Sequence, residues 1–133
     1  MKRILVADSD GQTRLGMKLF LKRKGYEVEE AINAEEALLK LRIRTYALAF
    51  LDPDMSIPAG PKVLTQLPPE LFDATPVVVI ASEKKDNDVM KAYAMGAAYY
   101  LKKPVSVDRI LDITEYLTGD IHAQKKRELS ARL

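Results

Sequence analysis

The chain has no cysteine among its 133 residues, which excludes a disulfide framework and any thiolate metal site. Its one histidine, His122, lies close to the C terminus. A histidine-based catalytic dyad in the body is therefore excluded, and a phosphohistidine relay role is not expected. No apolar run approaches the roughly 20 residues of a membrane span, and the opening "MKRILVADSD" is too short and too polar for a signal peptide. The expected location is the cytoplasm, with no membrane partner. Charge of one sign is also lacking. The net charge is only +2 at a pI of about 8.8. Within residues 121–133, Lys125, Lys126, Arg127 and Arg132 face the single acid Glu128, which leaves 17 basic and 18 acidic residues elsewhere. A basic tail on a neutral body reads as a solvated helix or a linker. The body has no helix-turn-helix pattern, so no direct nucleic-acid contact is expected.

What is present is a chain of ordinary globular composition, 47% hydrophobic and 30% charged, long enough for one core. Three short runs, "RILVA" (3–7), "ALAFL" (47–51) and "VVVIA" (77–81), are almost continuously apolar, as strands buried on both faces of a parallel sheet are. "YEVEEA" (26–31) alternates and reads as a weaker strand, and "AYYL" (98–101) as a short last one. Between them lie helical patterns. Residues 12–24 place Met17, Phe20 and Leu21 on one face and stop at Gly25. Asn33 with Glu36 resembles a capping box before Ala37, Leu38 and Leu41. A short helix over 61–67 ends at Pro68 and Pro69, and 86–95 turns Val89, Ala92 and Tyr93 inward. Ser106 caps a helix over 107–117 carrying Ile110, Leu111 and Thr114. The alternation predicts an α/β fold: a five-stranded, doubly wound parallel sheet with helices on both faces. Residues 1–119 form the domain and 120–133 a basic helical tail or linker.

In such sheets the site lies beyond the carboxyl ends of the strands. That edge collects Asp8, Ser9 and Asp10 after the first strand, Asp52 to Asp54 after the third, Ser82 and Glu83 after the fourth, and Lys102, Lys103 and Pro104 after the fifth. Taken alone, Asp8 and Asp10 suit a helix cap, Asp52 beside Pro53 suits a turn, and Lys103 suits a surface. Their convergence favours a cation site instead: carboxylates at a buried strand tip repel one another unless a positive charge joins them. Oxygen donors of that kind suit Mg²⁺. An aspartate beside a lysine and a divalent cation can attack phosphorus.

The segments "ILVADSDGQTR", "GYEVEEAINAEEAL", "ALAFLDPDM" with Gly60 eight residues after Asp52, "PVVVIAS" and "GAAYYLKKPV" resemble the receiver domain of bacterial two-component response regulators, of the flavodoxin-like chemotaxis type. The likeness covers roughly residues 2–118. It implies a signalling domain rather than an enzyme, one that accepts a phosphoryl group on Asp52 from a histidine kinase or phosphotransfer protein and then controls an output domain or partner. Self-phosphorylation from small donors and self-dephosphorylation are the most it would catalyse. The resemblance also implies a Mg²⁺ cofactor held by Asp8, Asp52 and the backbone carbonyl of Asp54, with Ser9 or Asp10 as a further ligand. Lys103 contacts the phosphoryl group before a cis bond to Pro104, and Tyr100 is the aromatic switch. A homodimer through helix four, strand five and helix five, where Lys91, Asp108, Arg109 and Asp112 lie, is the self-association it implies.

Three positions depart from that pattern. The second acid of the metal pair falls on Ser9, which implies weak Mg²⁺ binding. The Thr or Ser of strand four falls on Ala81, which weakens coupling to Tyr100. Ser82, one residue later, reaches the site only through a bulge or an early strand end. Ser56, where many receivers have proline, affects the loop alone. Asp54 and Glu83 flank the pocket and would repel an incoming phosphoryl group. These departures support an alternative, a phosphorylation-independent pseudo-receiver that acts as a protein-interaction module. A remote second alternative rests on "FLDPDMS", whose Asp-x-Asp is similar to that of haloacid-dehalogenase-type phosphatases but stands on the third strand of a short chain. The acidic loop "DSDGQTR" makes a poor flavin-phosphate cradle.

Overall fold

The three almost continuously apolar strands must lie where both faces are covered, and they do. The computed structural model describes residues 2–55 and 62–120. It contains one parallel sheet in the order β2-β1-β3-β4-β5, formed by β1 (Arg3–Ala7), β2 (Glu27–Ala31), β3 (Leu48–Leu51), β4 (Val77–Ala81) and β5 (Tyr99–Lys102). The apolar strands β1, β3 and β4 take the centre, and the polar or mixed β2 and β5 take the edges. Helices α1 (Gly11–Arg23), α2 (Ala34–Ile43), α3 (Pro69–Ala74), α4 (Asp86–Met95) and α5 (Val107–Thr118) supply the crossovers.

Alternation along each strand divides the core in two. Leu5, Ala49, Leu51, Val77 and Val79 pack under α2, α3 and α4. Ile4, Val6, Leu48, Phe50 and Val78 pack under α1 and α5 with Leu21 and Ile110. Burial of each large side chain contributes about 1.5–3 kcal/mol. Edge strand β2 is guarded by charge: Glu27 pairs with Arg3, Glu29 with Arg44, and Glu30 with Arg14 and Lys18. Paired glutamates leave the edge a poor template for another strand.

The caps follow the sequence. Asp10 accepts from Gln12 N–H, Asn33 from Glu36 N–H and Ser106 from Arg109 N–H. Gly96 ends α4 at φ +115°, where a Cβ would stand 2.9 Å from that of Phe72, so both conformation and space require glycine.

Two expectations are corrected. The short helix expected over 61–67 is, among the described residues, a four-residue 3₁₀ helix at Val63–Gln66, and the prolines after it also open α3 at Pro69, because a proline lacking its N–H opens a helix more readily than it closes one. Tyr93 does not point into the core: the residue is 47% exposed, and its hydroxyl accepts from Tyr100 N–H on β5. Ser56, Gly60, Pro61 and the tail from Ile121, including His122, lie outside the described residues.

Candidate functional site

The sheet's own ladder sets the site. Beyond the last residues of the strands, Asp8 N–H donates to Ala31 O at 3.1 Å, Asp52 N–H to Ala7 O at 2.9 Å and Lys103 N–H to Ala81 O at 2.8 Å. Three chains leaving one edge in register therefore bring Asp8, Asp52 and Lys103 together. The Lys103–Pro104 peptide bond is cis.

Asp8 and Asp52 are only 4% and 7% exposed, a depth at which two ionised carboxylates need compensation. Lys103 Nζ provides it, 2.8 Å from Asp8 Oδ2 and 3.1 Å from Asp52 Oδ2. The opposite oxygen of each acid is held by the amide two residues on: Asp10 N–H donates to Asp8 Oδ1 and Asp54 N–H to Asp52 Oδ1, each at 2.9 Å. Burial raises the Asp52 carboxyl above its ordinary value, against the pull of Asp54 N–H and Lys103. Burial by itself would lower the Lys103 ammonium, but its bonds to Asp8 and Asp52 outweigh that and hold it above its ordinary range.

The acids and carbonyls at this edge are hard oxygen donors and fit a magnesium ion rather than a soft metal. The anionic donors are two in number. Among the described residues no group of three His, Cys, Asp or Glu side chains gathers around a cation position. Asp10 is occupied as the α1 cap, with Gln12 N–H on one oxygen and the Thr13 hydroxyl on the other. Those bonds hold its carboxyl below the usual range, Thr13 contributing most. Ser9 is exposed on the rim.

The β4 side is different. Ala81 ends its strand 2% exposed, paired with Lys102. Ser82 follows the strand end, exposed, on the wall of a cavity of about 270 Å³ that also touches Asp54, Lys62, Glu83 and Tyr100. Tyr100 is buried, and its hydroxyl donates to Glu83 O at 3.2 Å. The flanking acids carry their own counterions, Lys62 on Asp54 at 3.3 Å and Lys85 on Glu83 at 3.1 Å, which offsets the repulsion expected of them. Sequence reasoning missed both lysines, and it missed Arg14, whose guanidinium reaches Asp8 O at 2.7 Å. The available signal for Arg14 was its spacing with Lys18 on α1, one turn apart, facing an edge strand rich in glutamate.

A family model, the response regulator receiver domain, matches residues 4–115. The chain belongs to that family. This receiver is 28% identical over 109 residues to the transcriptional regulatory protein CrdR of Helicobacter pylori, covering 82% of this chain and 51% of that protein. It thus spans about half the length of that curated relative. Among solved structures, a two-component response regulator from Clostridium difficile has 26% identity and a TM-score of 0.77, covering 88% of this chain and 95% of that one. Response regulator TrrA from Thermotoga maritima, in complex with Mg(2+)-BeF, has 27% identity and a TM-score of 0.68 over 88% and 99% of the two chains. The chain is accordingly a signalling domain of two-component systems, and membership sets aside the haloacid-dehalogenase reading. No helix among the described residues is long and apolar enough to cross a membrane.

Proposed function

We propose that this receiver accepts a phosphoryl group on Asp52 from a histidine kinase or phosphotransfer protein in the cytoplasm and passes the change to an output domain or partner protein, with residues 120–133 as the link. The observation that carries this is the Lys103 ammonium held between Asp8 and Asp52. Asp52 Oδ2 forms a bond to phosphorus as the donor's phosphorus–nitrogen bond breaks, and the electron pair leaves with the nitrogen. Lys103 then balances the charge of the acyl phosphate, while Asp54 N–H keeps the carboxylate oriented. A magnesium ion on Asp8, Asp52 and the Asp54 carbonyl would neutralise the transferring group. Self-association through α4, β5 and α5 fits the exposure of Lys91, Asp108 and Arg109.

A second reading, a pseudo-receiver working through protein contacts alone, is favoured by the exposed Ser9 and the buried methyl of Ala81. Intact mass after incubation with acetyl phosphate or phosphoramidate, with and without Mg²⁺, separates the two. A Mg²⁺-dependent gain of one phosphoryl group, lost in Asp52→Ala, supports the first. No adduct under conditions that label an ordinary receiver supports the second.

A further inference from the structure

Among the described residues, Asp8 is the one residue of the acid site whose backbone carbonyl is claimed by a charged side chain from another element. Its N–H continues the ladder to Ala31 O. Beyond Asp8 the chain turns away into α1, and a carbonyl buried at that point must find a donor. Arg14 Nη1 supplies it at 2.7 Å. The same guanidinium is anchored from behind: its Nε donates to Glu30 Oε1 at 3.2 Å, and Lys18 holds the other Glu30 oxygen at 3.0 Å. The Arg14 side chain is 17% exposed. The backbone carbonyl of Glu30 is in turn bonded by Lys40 of α2, which also pairs with Glu36. Helices from both faces thus converge on Glu30, and only Arg14 carries that anchorage into the acid loop.

We propose that Arg14 is a positioning residue for Asp8, and that the Glu30–Arg14 pair on the edge strand aims the Asp8 carboxylate at the cation and phosphoryl position. With N–H, carbonyl and both side-chain oxygens of Asp8 all engaged, the residue has one orientation. This matters more here than where three acids share the task, because two carboxylates carry the site. Arginine is suited to the role since its two donors diverge from one rigid plane, one for the carboxylate and one for the carbonyl, whereas lysine offers a single point charge. An ordinary edge-strand ion pair would make only the Glu30 contact and contribute little.

The value of Asp8 as a metal ligand rests on the proposed phosphoacceptor reading, but its placement does not, so the test has two readouts. The first is the Asp10 amide in ¹⁵N-labelled protein, which reports the Asp8 Oδ1 bond with no ligand present. The second is Mg²⁺ affinity by titration of the same spectrum. In Arg14→Met the Asp10 amide should shift and exchange faster, and Mg²⁺ affinity should fall about tenfold, as when a group that orients a metal ligand is removed. Arg14→Lys should recover part of both, and Glu30→Gln, which keeps an acceptor for Nε, most of both. If Arg14→Met fails to fold, Glu30→Ala frees the guanidinium without altering α1 and carries the same expectation. An Asp10 amide and a Mg²⁺ titration unchanged in the folded variant would overturn the proposal. If the wild type takes no phosphoryl group yet the Asp10 amide moves in the variant, the phosphoacceptor reading fails and the positioning role stands.

Discussion

The two halves of the strand-end edge are built to different standards. Around the ends of β1 and β3 every carboxylate oxygen of the acid pair has a partner: one ammonium, from the residue after β5, and two backbone amides engage the two carboxylates, buttressed from behind by Arg14 and Glu30. On the β4 side the strand ends in a methyl group, the nearby hydroxyl of Ser82 lies on an exposed cavity wall, and the buried tyrosine bonds a loop carbonyl. The first half holds the groups that the proposed attack on phosphorus would use. Among the described residues, the second has no buried hydroxyl at its strand end. Under the proposed phosphoacceptor role, acceptor chemistry and its transmission would be separable, because the acid pair leaves β1 and β3 whereas the missing hydroxyl falls at the end of β4.

The sharpest way to break the first half is Lys103→Ala. It leaves two nearly buried carboxylates facing each other, so phosphoryl labelling should disappear and stability at pH 7 should fall by about 2 kcal/mol, below the range for a fully buried pair because Lys103 is partly exposed. The loss should shrink as pH falls and the burial-raised Asp52 carboxyl takes up its proton. Urea denaturation at pH 7 and pH 4 measures both. Ser9→Asp adds an anion on the rim and should strengthen Mg²⁺ binding about tenfold, read by titration. Ala81→Thr bears on the second half. At a site 2% exposed it should cost about 1 kcal/mol, yet lengthen the lifetime of the phosphorylated form a few-fold by giving the phosphoryl group a hydroxyl. The smallest effect concerns the buttress. Bonds from Lys18, foremost, and Arg14 hold the Glu30 carboxyl below its ordinary value. Its contribution is therefore present above the ordinary carboxylate range and lost as pH falls through the lowered folded value. The stability difference between wild type and Glu30→Gln should close over that acid window, by denaturation at stepped pH.

Much of this was legible in the sequence. Apolar runs long enough for one strand and too short for a helix, each followed by polar or charged residues, specify a parallel sheet with its site at the carboxyl edge, and Asn33, Ser106 and Gly25 mark where helices start or stop. Asp10 is ambiguous in the sequence because a cap and a metal ligand use the same carboxylate; the bond from the Thr13 hydroxyl, visible only in three dimensions, shows the cap. Pro68 and Pro69 misled because proline both ends and begins helices. Arg14 and Lys62 were invisible as site residues because the contact of Arg14 crosses from helix to loop and that of Lys62 joins residues eight apart, which no local periodicity encodes.

The separation of acceptor from transmission is tested most directly by ¹⁵N amide shifts on phosphorylation with phosphoramidate and Mg²⁺. The account predicts large shifts at Asp10, Asp54 and Lys103 and much smaller ones at Glu83 and Tyr100, with the latter growing in Ala81→Thr. Shifts at Tyr100 as large as those at Asp54 in the unaltered protein would contradict it.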